Sequence, residues 1–283
     1  VINLFKSLKS RFCRQGLGPV LIAVWLLLSS GSALSFGADG HRIIIAIAEN
    51  HISEKTAESI HQLIEGAELA KLSLWPDTIR RLPEWQNSKY WHYINVDDDQ
   101  QLSAVEHDEN GHGDILWALQ HFSNQLKDPQ LGRREQIEAL AFLSHLIADI
   151  HQPLHVGRQD DRGGNKVRVK WLDQRKTVNL HQVWDRLLIS ASNETPKQYA
   201  RRLDQASDQQ ITLWQQTEFL DWANQSKALR SQVYDFGTQI RGQHIVLNTA
   251  YVERNKPIIE RQLLVAGIRL AGCLESIFNP QGL

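Results

Sequence analysis

The chain has 283 residues, 42% hydrophobic and 22% charged, with 31 Lys and Arg against 32 Asp and Glu for a formal net charge of −1. This composition excludes a disordered chain and supplies a sizeable core, and the missing basic excess argues against a protein that grips duplex DNA by its surface field. With only Cys13 and Cys273, a disulfide framework and a cysteine-rich zinc module are excluded as well.

Lys6, Lys9, Arg11 and Arg14 precede an apolar run from Val20 to Leu28, followed by small residues up to Ser35. The run is too short for a bilayer span and suits a signal peptide over residues 1–35, cleaved before Phe36. A short uncleaved anchor is the alternative. Removing 31 less four basic residues leaves 27 against 32 acidic ones, a net −5 on residues 36–283. One cysteine, Cys273, then remains, and it reads as a buried small hydrophobe. An exported chain without an internal disulfide fits a periplasmic or secreted protein.

No repeat or linker divides residues 36–283, so they read as one domain. Ile43-Ile44-Ile45 is ambiguous: its β-branched composition suggests a strand, while His41, Ile45 and Ala48 suit one helix face. Asp97 to Asp114 is acidic, contains two glycines and reads as a solvated loop. Ile137 to Ile150 is apolar almost all round, which predicts a fully buried helix ended by Pro153. Gly163-Gly164-Asn165 before Val167, Val169 and Trp171 predicts a hairpin or short ribbon. Lys197–Ala206 and Thr212–Tyr234 have helical spacing, and Pro257 suits the first turn of a closing helix, Ile258 to Phe278. The fold expected is mainly α, one helical domain with a small β-hairpin.

The chemistry lies in the spacing of histidines and aspartates. His145 and Asp149 are four apart, so they project from one face of the buried helix. A bare carboxylate is costly to bury, and a bound cation is one compensating partner. His155 follows the Pro153 break, and His181 with Asp185 repeats the four-residue spacing beside Trp184. His and Asp suit catalytic zinc, whose nitrogen and oxygen donors leave positions open for water. One such pair is ordinarily a simple ion pair; two pairs with an intervening histidine point to metal. His151 reads as structural. His51, His61, His107, His112, His121 and His244 have no paired spacing and read as surface or satisfied core. The sequons at Asn193 and Asn224 carry no weight if the source is bacterial.

Taken together, Phe36-Gly-Ala-Asp-Gly-His41, Trp75-Pro-Asp77, Trp91-His92-Tyr93, His145-x-x-x-Asp149, His151-Gln-Pro-Leu-His155, Gly163-Gly164-Asn165 and Asn179-Leu-His181-x-x-Trp184-Asp185 resemble the zinc-dependent S1/P1 nuclease family. The resemblance implies a largely helical fold, of the type shared with zinc phospholipase C, holding three Zn²⁺ ions. One zinc would be held by Asp77, His92, His145 and Asp149. A second would use His41, Asp149 as a bridge, and the α-amine and carbonyl of Phe36. The third would use His155, His181 and Asp185. Phe36 stands where the family usually has Trp, but its ligating atoms are main chain, and cleavage before it would create the amine.

The implied reaction is attack of a zinc-bridging hydroxide on phosphorus, with Asp77 and Asp149 as metal-holding catalytic residues and the third zinc stabilising the departing 3′ oxygen. Arg80 would neutralise the charge on phosphorus. Tyr93 would stack on a base, and Asn95, where fungal members have Asp, would hydrogen-bond it. Val183 replaces a polar family residue. Three zincs less three aspartates and a hydroxide leave about +2 in the pocket. The expected substrates are single-stranded DNA or RNA and 3′-nucleotides, with no stable duplex binding, no membrane association after cleavage, and a monomeric chain. A zinc-dependent phospholipase C and a non-catalytic periplasmic zinc-binding protein are the competing readings. The former typically has Glu where Asp185 stands.

Overall fold

The computed structural model describes residues 36–103, 111–192, 194–237, 240–241 and 244–281, with backbone alone at 240, 241 and 244. The expected leader over residues 1–35, His107 and Asn193 fall outside these residues.

Helix α1 (Ala38–Asn50) settles the ambiguity at Ile43–Ile45. All three are buried on a helix, because packing on both sides outweighs the strand preference of β-branched side chains. Helix α2 (Glu54–Leu63) is capped by Ser53, whose hydroxyl accepts from Thr56 N–H. A turn at Leu69–Leu72 leads to α3 (Trp75–Ile79) and a 3₁₀ stretch at Pro83–Tyr90. Helix α4 (Ile115–Lys127) begins at Asp114, whose carboxylate accepts from Leu116 and Trp117 N–H. The last residue of the expected acidic loop is therefore a helix cap.

Helix α5 (Arg133–Ile150) is buried without a break from Ala139 to Ile150 and is followed by a 3₁₀ turn at Pro153–His155. After a helical segment over residues 180–190 with a π turn at Val183–Leu187 come α6 (Pro196–Leu203), α7 (Asp208–Gln215), α8 (Phe219–Ala228) and α9 (Thr249–Phe278). Two of these differ from expectation. The Thr212–Tyr234 span is interrupted, because Glu218 and Asp221 form a capping box that restarts the chain at α8. The closing helix starts at Thr249, not near Pro257, which lies inside it. Asn248 sets that start by accepting from Tyr251 N–H.

Strand β1 (Ile94–Asn95) pairs parallel with β2 (Val156–Gly157). A second sheet joins β3 (Arg168–Trp171), β4 (Thr177–Asn179), β5 (Ile240–Arg241) and β6 (His244–Leu247) in the order β4-β3-β6-β5. The hairpin β3–β4 is the expected ribbon. The parallel partner β6 comes from a segment that the sequence pattern did not single out.

The core is built around α5, with α1, α4 and α9 packed against it and α9 lying along α1. Cys273 is half-buried against this core, and burial pushes its thiol up to about 12. Among the described residues no helix is long and apolar enough to cross a membrane.

Candidate metal centre

Five segments deliver polar side chains to the C-terminal end of α5. The helix itself contributes His145 and Asp149, both fully buried. Helix α1 contributes His41, the start of α3 Asp77, the segment before β1 His92, the turn after α5 His155, and the 180–190 segment His181 with Asp185. The eight side chains fall into three groups whose ligand atoms lie within 4.8 Å of one another: His41, His145 and Asp149; Asp77, His92 and His145; His155, His181 and Asp185.

The imidazoles are oriented by main-chain carbonyls. His145 Nδ1 donates to Ser73 O at 2.7 Å, His155 Nδ1 to His92 O at 2.6 Å and His181 Nδ1 to Gly163 O at 2.7 Å. His41 Nδ1 meets the carbonyl of Phe36. Each of these rings therefore presents Nδ1 to a carbonyl and turns Nε2 inward, the orientation that metal-binding histidines take. His92 instead turns Nδ1 inward, 3.0 Å from both Asp149 Oδ2 and His145 Nε2.

The spacing of the inward atoms tests whether a metal fits. Two nitrogen or oxygen ligands about 2.0–2.1 Å from a tetrahedral zinc lie ~3.3 Å apart. His41 Nε2 is 3.5 Å from Asp149 Oδ1, His145 Nε2 3.9 Å from Asp77 Oδ1, His155 Nε2 3.6 Å from Asp185 Oδ1 and His181 Nε2 3.4 Å from Asp185 Oδ2. These separations are long for hydrogen bonds and suit atoms converging on a cation. His155 Nε2 is buried and has no hydrogen-bond partner among the described residues. Donor chemistry and spacing both fit zinc.

Electrostatics agree. Burial would raise Asp149, but His145 and His155 hold its carboxyl well below the usual range. Burial would likewise lower His155, yet Asp149 and Asp185 push it up to about 9. His145 is raised in the same way, against its burial, whereas burial lowers His92 and His181. The aspartates and two of the imidazoles thus favour one another's charged forms, and binding of a divalent cation here would be coupled to proton release.

The remaining site candidates surround this cage. Phe36 is fully buried, and the next residue ties it in, since Gly37 N–H donates to Asp185 O at 2.8 Å. Arg80 Nη1 lies 3.3 Å from Asp77 Oδ1. Tyr93 is half-buried, and among the described residues no ring stacks on it. Tyr90, by contrast, is already stacked on His112 at 4.9 Å. Asn95 is half-buried in β1 opposite Gly157.

Sequence reasoning gave Gln152 no role, although it lies inside a quoted motif; its Nε2 donates to Asp185 Oδ1 at 2.7 Å. Two buried cations behind the site were also missed. Arg230 donates to Val96 O at 2.7 Å and Val156 O at 3.2 Å, holding β1 beside β2, and is paired with Asp98 at 2.6 Å. Arg269 donates to His151 Nε2 at 2.8 Å, and His151 Nδ1 donates to Ile147 O at 2.7 Å. His151 is thus a satisfied core histidine, as read. No local pattern pairs these arginines with partners so distant in the chain.

The family model described as S1/P1 Nuclease matches residues 36–279. Endonuclease 3 of Arabidopsis thaliana is 30% identical over 283 residues, covering 93% of this chain and 95% of its own. Nuclease S1 of Aspergillus oryzae is 28% identical over 267 residues, covering 86% and 91%. Nuclease P1 of Penicillium citrinum is 28% identical over 159 residues, covering 53% and 57%.

Proposed function

The chain belongs to the S1/P1 nuclease family and is a nucleic-acid-hydrolysing enzyme, and from that membership we propose an exported zinc phosphodiesterase. Its substrates would be single-stranded DNA and RNA, cut to 5′-phosphorylated products, and 3′-nucleotides, cut to nucleoside and phosphate. The observation that carries this reading is the set of three metal-sized groups, two of which share His145.

Asp77, His92, His145 and Asp149 would hold one zinc, His41, Asp149 and the Phe36 main chain a second, and His155, His181 and Asp185 a third. When bound, the ions supply Lewis acidity and an activated water at neutral pH. The chain's own residues do the rest. Arg80, anchored by Asp77, offsets negative charge gathering on phosphorus. Tyr93 offers an unstacked ring to a base, a contact worth about 1–3 kcal/mol and tolerant of sequence, as unpaired strands require. Asn95 offers both a donor and an acceptor to the base edge. The family match beginning at Phe36 supports a mature chain starting there. The net −5 of that chain supports pocket-local attraction of single strands over duplex coating, and we propose that it acts as a monomer in the periplasm or outside the cell.

The test is elemental analysis of the secreted, N-terminally sequenced protein, assayed on single-stranded DNA and on phosphatidylcholine. Three zincs and acid-soluble nucleotides are expected. Arg80→Ala should keep the zinc and lose hydrolysis. Zinc without hydrolysis in the wild type would make this a binding protein, and phosphocholine released in place of nucleotides would make it a phospholipase.

A further inference from the structure

The segment through β1 carries the two residues proposed to meet the base, and its own pairing is slight. Tyr93 and Asn95 are half-buried, whereas Ile94 and Val96 are buried. The alternation is that of an extended strand, with Tyr93 and Asn95 on one face and Ile94 and Val96 on the other. A shift of one residue against β2 would exchange the two faces and turn both base contacts into the core. Yet β1 and β2 pair in parallel over two residues each, Ile94 with Val156 and Asn95 with Gly157. One further main-chain bond, from Val96 N to Gly157 O at 2.9 Å, continues the pairing. A pair so short does little to hold its own register.

The near end of this segment is fixed at the metal centre. His92 stands in the group with Asp77 and His145, and its carbonyl accepts from His155 Nδ1 at 2.6 Å. The far end is fixed by Arg230, whose side chain is 2% exposed and comes from a helical turn at Arg230–Val233. Its Nη1 donates to Val96 O at 2.7 Å and to Val156 O at 3.2 Å, one carbonyl from each side of the pair. Its Nη2 donates to Asp98 Oδ1 at 2.6 Å. The other oxygen of Asp98 accepts from Arg158 Nη2 at 2.7 Å, and Arg158 directly follows Gly157. Asp98 thus ties the ends of both strands to Arg230. The Arg158 guanidinium in turn lies 4.0 Å from the centre of the Tyr234 ring. A buried ion pair adds little net stability, and its best-attested use is to fix register.

We propose that Arg230 is a positioning residue for the base: it sets the register of β1 against β2, and so the face on which Tyr93 and Asn95 stand beside the metal centre. This role rests on the function proposed above. The partners of Arg230 are two main-chain carbonyls and Asp98, none of them a metal ligand or a base contact. It therefore acts through the strand and not on the substrate. Removing it frees the Val96 end of the segment, while the His92 end stays tied to the metal groups. The base contacts then loosen with the metals still in place. Arginine's planar fork reaches two carbonyls and a carboxylate at once, which the point charge of a lysine matches only in part.

The test compares the metal-loaded wild type with Arg230→Gln, Arg230→Lys and Asp98→Asn on two oligomers of one length, oligothymidylate and a chain of abasic tetrahydrofuran units. The two share every phosphate and differ in the base. The ratio of kcat/KM, oligothymidylate over abasic chain, should fall on the order of tenfold in R230Q, through KM, and recover in part in R230K. Zinc content, kcat and cleavage of the abasic chain should stay at wild-type values. Asp98 is 58% exposed, so D98N leaves the fold and both carbonyl contacts of Arg230 in place. It should lower the ratio about two- to fivefold, and it decides alone if the buried variants fail to fold. An unchanged ratio, or both substrates falling together with the zinc, would overturn the proposal, since either is what a merely structural arginine gives. A wild type that cleaves both oligomers equally would refute the base contacts at Tyr93 and Asn95 on which the role of Arg230 depends. One that cleaves neither would refute the nuclease reading itself.

Discussion

Gly157→Ala should damage one metal group while leaving the other two in place. A Cβ at residue 157 would stand 2.4 Å from Gly163 Cα, 2.7 Å from Leu154 O and 2.9 Å from Gly163 N. All three are main-chain atoms, so no side-chain rotation relieves the clash. Ordinary carbon contact is about 3.5 Å, so the Gly163 turn must retreat by about 1 Å. Its carbonyl, now 2.7 Å from His181 Nδ1, would then be out of hydrogen-bond reach, and the ring would lose the contact that fixes its tautomer. Overpacking of this kind costs about 1–3 kcal/mol, and ~2 kcal/mol lowers the melting temperature of a chain this size by about 4–8 °C. Loss of an orienting contact weakens a metal site about 10–100-fold. Calorimetry and zinc analysis after dialysis against a weak chelator read the two effects. A variant that melts with the wild type and retains its full zinc complement would refute the reasoning.

Asp149→Asn should lose more metal than Asp185→Asn, because Asp149 faces His41, His92 and His145 while Asp185 faces His155 and His181. Asp185→Asn should lower the rate on the order of a hundredfold and Asp149→Asn by a further order of magnitude; equal zinc contents and residual rates would count against a shared ligand. Glu275 accepts from the backbone and hydroxyl of Ser53 and from Asn279, tying α9 to the cap of α2. Burial acts to raise its pKa, but these bonds hold it below the usual glutamate value. A depressed folded pKa gives stability that is complete above the unfolded value and is lost as pH falls through the folded one. Glu275→Gln should therefore cost about 1 kcal/mol by urea denaturation at pH 7, after allowing for solvent screening, and nearly nothing at about pH 3. A cost independent of pH would contradict the ionic role.

The helical class and the histidine–aspartate groups were legible because each rests on short-range pattern. A buried helix shows itself in unbroken apolar sequence, and two side chains four apart must share a face. Helix α5 kept its place, and His145 with Asp149 came together as spaced. Ile43–Ile45 was not legible, since three isoleucines in a row fit a strand as well as a helix buried on every side. The start of α9 was misplaced because Pro257 is a strong local signal and Asn248 a weak one. The supports of the site were hidden for a different reason. Arg230 holds the carbonyl of Val96, and Arg269 holds the ring of His151, 118 positions away; such partners are set by tertiary packing, which no window along the chain reveals.

Helix α9 lies along α1, and Glu275 bonds Ser53 across 222 positions of sequence. The opening helix brings His41 to the cage, yet much of its packing surface is supplied by the thirty residues of α9. Contacts so distant in sequence form late, because the intervening polypeptide must first be gathered in. A polypeptide emerging from its N-terminus thus has its first helix, with His41, waiting for its main packing partner until the last helix has arrived.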